Sequence, residues 1–128
     1  MAHWVEKYLG LKWEIDNDCF HFFCKVQSEV FNINHSKLHL PEDLAQVKDW
    51  KACEDNAEVR ENWYPVDEYQ DGDACLFNAT DLCHIGIVVN IKGNYGVLHS
   101  DKSHGGIFTA MNIVRCSHRN IKFFRCKK

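Results

Sequence analysis

The apolar positions of the 128-residue chain change period about half-way along it. Near the start, Trp4, Val5, Tyr8 and Leu9 share one helical face and Gly10 follows as a stop, which predicts a short first helix. Leu11-Lys12-Trp13-Glu14-Ile15 then alternates and reads as extended chain. Phe20, Phe23, Cys24, Val30 and Phe31 recur at helical spacing directly behind Asp16-Asn17-Asp18, three residues that favour N-caps, so a helix opening at Cys19 is expected. Asn32-Ile33-Asn34-His35-Ser36 breaks that pattern. Pro41 is placed to begin a further helix with Glu42 and Asp43 in its first turn and Leu44, Val47 and Trp50 inside. The stretch from Lys51 to Glu68 is polar, with Pro65 interrupting any helix, and reads as a connection over the surface.

Beyond the turn Asp71-Gly72-Asp73 the period becomes that of strands. Ala74 to Phe77, His84 to Val89 and Tyr95 to His99 are each bounded by Gly, Asn or Asp, and Lys92-Gly93-Asn94 is a tight connection between the second and third. Ile107 to Ala110 and Ile121 to Phe124 are further strand candidates. The expected fold class is α+β, with helices in the N-terminal half and an antiparallel sheet of about five strands. No internal repeat or low-complexity tract interrupts residues 1–128, which suit a single domain with one core.

Composition narrows the partners. A formal net charge of −3 and the absence of any Lys/Arg block apart from Lys127-Lys128 argue against nucleic acid. The longest apolar runs, such as Ile85 to Val89, are too short to span a bilayer, so no membrane partner is expected. Met1-Ala2-His3-Trp4-Val5-Glu6 lacks the regions of a signal peptide, and the expected place of synthesis and folding is the cytoplasm. Seven cysteines without an export signal are expected to be mostly reduced thiols. Despite eight histidines there is no Cys-x-x-Cys or His-Glu-x-x-His spacing, so neither a metal nor another cofactor is expected.

What remains is Cys19. In the first turn of a helix, unpaired N–H groups and the positive end of the macrodipole favour thiolate over thiol. A base is needed downstream. The tight connection at Lys92-Gly93-Asn94 brings His84, at the start of one strand, into the neighbourhood of His99 to Asp101 at the end of the next. Cysteine, histidine and a polar third residue form a nucleophile, a base and an orienter. Spacing alone leaves His99 and Asp101 both open as the third member. Trp13 lines a cleft beside Cys19 or belongs to the core, and His21, two residues past Cys19, is read as a bystander on another side of the helix.

In order along the chain, Asp18-Cys19, Asp71-Gly72-Asp73, His84-Ile85-Gly86-Ile87-Val88 and Gly96-Val97-Leu98-His99-Ser100 resemble the four signatures of the NlpC-type cysteine peptidases. The resemblance covers about Trp4 to Ser103. It implies a papain-like fold and hydrolysis of peptide bonds in bacterial cell-wall stem peptides, commonly between D-γ-glutamate and a diamino acid. It also implies Cys19 as nucleophile, His84 as base and His99 as orienting residue, with Trp13 and Asp18 on the substrate side. The compact form, with Tyr8-Leu9-Gly10-Leu11-Lys12-Trp13 upstream, is most similar to members associated with phage tails, which implies tail proteins as partners and a place in the virion. Phe20 and His21 stand where that family usually has a small residue and glycine, Trp13 stands where it has a tyrosine, and its glycine pair before Asp-Cys is missing. Two further functions stay open: a catalytically inactive tail or assembly component with the same fold, and a thiol acyltransferase or deamidase.

Overall fold

A computed structural model describes residues 3–12, 19–33, 63–78, 83–101, 104–117 and 121–127, and for residues 19–21, 78, 83, 84 and 101 it describes the backbone alone. The expected helix at Pro41 and the extended run at Trp13 to Ile15 lie outside these residues, as do Asp18, His35, His39 and Cys53. Among the described residues the fold is a mixed α+β arrangement: helix α1 (Cys19–Val30), helix α2 (Met111–Ser117) and a six-stranded antiparallel sheet. The strands are β1 (Trp63–Val66), β2 (Ala74–Asn78), β3 (Cys83–Ile91), β4 (Asn94–Asp101), β5 (Gly105–Ala110) and β6 (Ile121–Cys126), in the spatial order β1-β6-β2-β3-β4-β5.

Alternation along the strands sorts apolar side chains onto two faces. One face carries Leu76, Ile85, Ile87, Val89, Leu98 and Phe124, packed against Phe22, Phe23 and Val26 of α1. The other carries Cys75, Phe77, Val88, Val97 and Phe123, packed against Met111 and Val114 of α2. α2 is absent from the sequence expectation because its inward stripe is only those two residues, while Ile113 beside them is 53% exposed.

The strand count also exceeds expectation by one. Trp63–Val66, expected to be part of a surface connection, pairs with β6 as the outermost strand. Pro65 is tolerated there because an edge strand has one row of backbone groups without a neighbour, where a missing N–H removes no ladder bond. Trp63 is buried with its ring 5.8 Å from that of Phe23, and this packing outweighs the polar surroundings of the segment. The first helix is likewise shorter than expected. Trp4–Lys7 is a 3-10 turn, capped by His3, whose Nδ1 accepts from Val5 N at 3.1 Å. Val5 and Tyr8 face inward but Leu9 is exposed, and Gly10 ends the turn at φ +80°.

Two glycines of the expected turns have structural reasons. Lys92 and Gly93 both have positive φ, the signature of a two-residue hairpin turn whose twist matches its strands. Gly72 has φ +94°, and an added Cβ would sit 2.9 Å from Phe31 Cε1. Beside it the carboxylate of Asp73, 2% exposed, accepts from Arg125 Nε and Nη2, each at 2.9 Å, and from Gln70 N at 2.7 Å. This bidentate pair ties the start of β2 to β6 and holds the guanidinium pKa above its ordinary value.

Tyr8 joins the N-terminal turn to α1 by donating its hydroxyl to Glu29 Oε1 at 2.7 Å. Burial, reinforced by Glu29, raises the phenol above its ordinary 10.0, and the bond from Tyr8 holds the Glu29 carboxyl below its ordinary 4.5. A raised phenol means that the fold favours the neutral form, so its contribution is complete below pH 10.0 and is lost as pH climbs through the folded value. A lowered carboxyl contributes fully above pH 4.5 and its share is lost as pH falls through the folded value. Tyr8→Phe should therefore cost about 1 kcal/mol or less at neutral pH, since Glu29 is well solvated, and should flatten both limbs of the stability profile. Urea unfolding across the pH range checks this; limbs that persist unchanged in the mutant contradict it.

Candidate functional site

The start of α1 is located by the side chains that follow it. Phe22 lies over β5, where an added Cβ on Gly106 would be 3.1 Å from Phe22 Cε2 and 2.0 Å from the carbonyl oxygen of Tyr8. The absence of a side chain at Gly106 is what allows the N-terminal turn and the first turn of α1 to meet the sheet. The same turn bonds to the outer edge of β5, with Gly10 N donating to Gly106 O and Gly106 N to Leu11 O, each at 2.8 Å. At the far end of α1, Gln27 Nε2 donates to Gly72 O at 2.8 Å and Phe31 covers Gly72. The helix thus runs across β3 and β4 with Cys19 at the end of the sheet where β3 begins and β4 finishes.

That is the end at which the two expected histidine positions lie. His99 is opposite Gly86 across β3 and β4, and opposite Ile107 across β4 and β5. His84 is opposite Phe77 across β2 and β3. Continuing the β3–β4 register from the pair Gly86↔His99 brings position 84 level with position 101 and one diagonal step, about 7–8 Å, from position 99. The neighbourhood expected from the tight turn is therefore present at the level of the backbone. Gly86 permits it: an added Cβ would meet Val97 Cγ1 at 2.5 Å and His99 Cβ at 3.1 Å.

The faces of the sheet separate these positions from α1. His99 stands edge-on to Phe77, with ring centroids 5.4 Å apart, and its Nε2 is 3.0 Å from Thr109 Oγ1. Phe77 belongs to the cluster under α2, so His99 is on the face opposite α1, and by pairing and alternation positions 84 and 86 belong to that face too. Cys19, His84 and His99 thus share one end of the sheet, with the helix start on one face and the two histidine positions on the other. The β4 residue on the α1 face at that end is Ser100, which sequence reasoning passed over although it follows His99 directly.

Among the other cysteines with described side chains, Cys24 and Cys75 are buried, Cys126 is half-buried and Cys116 is exposed, and none of the four is in a disulfide. Burial pushes the Cys75 thiol up to about 12, which leaves it protonated and unreactive at neutral pH. Among the described residues no three His, Cys, Asp or Glu side chains gather as a metal site, and no helix is long and apolar enough to cross a membrane. No family model, curated protein or solved structure matches the chain.

Gly86→Ala tests the packing that holds His99. A methyl at that position has no free space, and overpacking of this kind costs about 1–3 kcal/mol. The expected result is a lower unfolding midpoint together with displaced His99 ring resonances in NMR spectra. A mutant with wild-type stability and unchanged His99 resonances would show that the glycine is not what admits the ring.

Proposed function

We propose that the chain is a cysteine peptidase with a papain-like fold that hydrolyses stem peptides of bacterial peptidoglycan. Cys19 is the nucleophile, His84 the base and His99 the residue that orients it. The observation that carries this reading is the arrival of the α1 start, the β3 start and the β4 finish at one end of the sheet. Three of the four motifs that resemble those of the NlpC-type peptidases, those at Cys19, His84 and His99, fall on these same elements, and the resemblance supplies the substrate class: the bond between D-γ-glutamate and a diamino acid. A place among phage tail proteins follows from the same likeness.

The chemistry uses few parts. The reading requires His84, whose position belongs to the face away from α1, to meet the thiol around the end of the sheet; the Cys19 proton then passes to its imidazole, and the thiolate attacks the amide carbon to form a C–S bond. Charge developing on the carbonyl oxygen is met by the unpaired N–H groups of the first turn of α1. Collapse breaks the C–N bond while the imidazolium gives its proton to the leaving amine. Water then cleaves the thioester, releasing the acid and restoring the thiol.

A second reading is a catalytically inactive tail or assembly component. It is favoured by the position of His99, which meets Phe77 and Thr109 on the face away from α1. Digestion of purified muropeptides, followed by mass spectrometry, separates the two. The peptidase reading predicts release of fragments cut at the D-γ-glutamyl bond and at least a thousandfold loss, as an order of magnitude, in a folded Cys19→Ala mutant. Wild-type protein that releases nothing while remaining folded supports the inactive component, and turnover retained in Cys19→Ala removes Cys19 as nucleophile.

A further inference from the structure

We propose that Ser100 is a positioning residue for the nucleophile, its buried hydroxyl donating a hydrogen bond to the thiolate of Cys19; this rests on the thiol chemistry proposed above. Three observations lead to it. Ser100 is paired with Gly106, the residue against which Phe22 packs, and Leu98, two positions earlier on β4, packs in the same cluster as Phe22 and Phe23. Cys19 stands one helical turn before Phe22 and Phe23, so its backbone position is in the stripe of α1 that meets this face. Ser100 is 0% exposed, and its Oγ is one of two buried side-chain atoms without a hydrogen-bond partner among the described residues.

A hydroxyl shut away from water without a partner costs on the order of 1–3 kcal/mol and calls for a reason. The helix start supplies one. A thiol is a weak acceptor, whereas a thiolate is a full negative charge, and α1 directs the positive end of its dipole at that point. When Cys19 loses its proton, an acceptor with a full negative charge forms in the helix turn before Phe22, on the sheet face where the Ser100 hydroxyl is buried. Ser100 keeps its own proton throughout and donates it into a hydrogen bond. Bonding to the charged form favours that form, so the hydroxyl raises the thiolate fraction without taking part in bond making. His99, on the opposite face, is not placed for this task.

The test needs no substrate. Alkylation of Cys19 by iodoacetamide is followed site by site with mass spectrometry across pH in wild type and in Ser100→Ala, alongside thermal unfolding of both. The expected result is a Cys19 profile displaced to higher pH in the mutant, with about three- to tenfold slower alkylation below the midpoint, and stability that is unchanged or higher because the hydroxyl has no partner to lose among the described residues. An unchanged profile, with Cys19 still the fastest thiol, overturns the role of Ser100 and leaves the peptidase reading standing. Marked destabilisation by Ser100→Ala also overturns it, since the hydroxyl would then have a structural partner. If Cys19 in the wild type reacts no faster than exposed Cys116, both the inference and the peptidase reading fall.

Discussion

The two-residue turn at Lys92-Gly93 determines which residues of β4 can meet the start of α1. Both residues adopt positive φ, Asn90 Oδ1 accepts from Gly93 N at 2.7 Å, and the ladder that follows runs from Ile91↔Asn94 to Gly86↔His99. A slip of one residue would turn every side chain of β4 to the other face. It would bring His99 under α1 and expel Leu98 from the core. Gly86 and Gly96 reinforce the register, because Val97 and the Phe108 ring occupy the space that a Cβ at either position would need.

α1 is seated on this sheet at its two ends. Gly106 admits Phe22 and the Tyr8 carbonyl at one end, and Gly72 admits Phe31 at the other, with Gln27 bonded to the Gly72 carbonyl. The Asp73–Arg125 pair then holds the Gly72 turn against β6, so the far end of the helix is anchored through charge-assisted bonds and the near end through close apolar contact. With Asp71 Oδ1 accepting from Asn90 N at 2.9 Å, each residue of the Asp71-Gly72-Asp73 string has a structural partner. What this construction delivers is a helix start, whose first N–H groups have no partner within the helix, at the sheet end where two strands carry histidine.

Much of this was legible in the residues. The helix beginning at Cys19, the strands around Ile87 and Val97 and the turns at Gly72 and Gly93 were readable because period and turn chemistry agree locally. Two elements were not. The β1 strand depends on Trp63 packing against Phe23 far along the chain, and α2 has an inward stripe of two residues, too short a pattern to separate from chance. Spacing placed His84 and His99 at one end of the sheet, which is the end where α1 starts. Their face was harder to read, because it depends on which set of alternating positions packs under α1, and both Ile85-Ile87-Val89 and the Val88-Val97 pair are apolar enough to do so. Ser100 was missed because a serine beside a histidine carries no local signal; its burial and its lack of a hydrogen-bond partner among the described residues are visible only in three dimensions.

The central claim is that the helix start and the histidine strands form one reactive site at that end of the sheet. The rate at which Cys19 alone is alkylated below neutral pH, compared between wild type and His84→Ala, tests this most directly. The account predicts that imidazolium at His84 sustains the thiolate, so that Cys19 reacts well ahead of Cys116 in the wild type and falls back by about tenfold or more in the mutant. Equal Cys19 rates in the two proteins would contradict it.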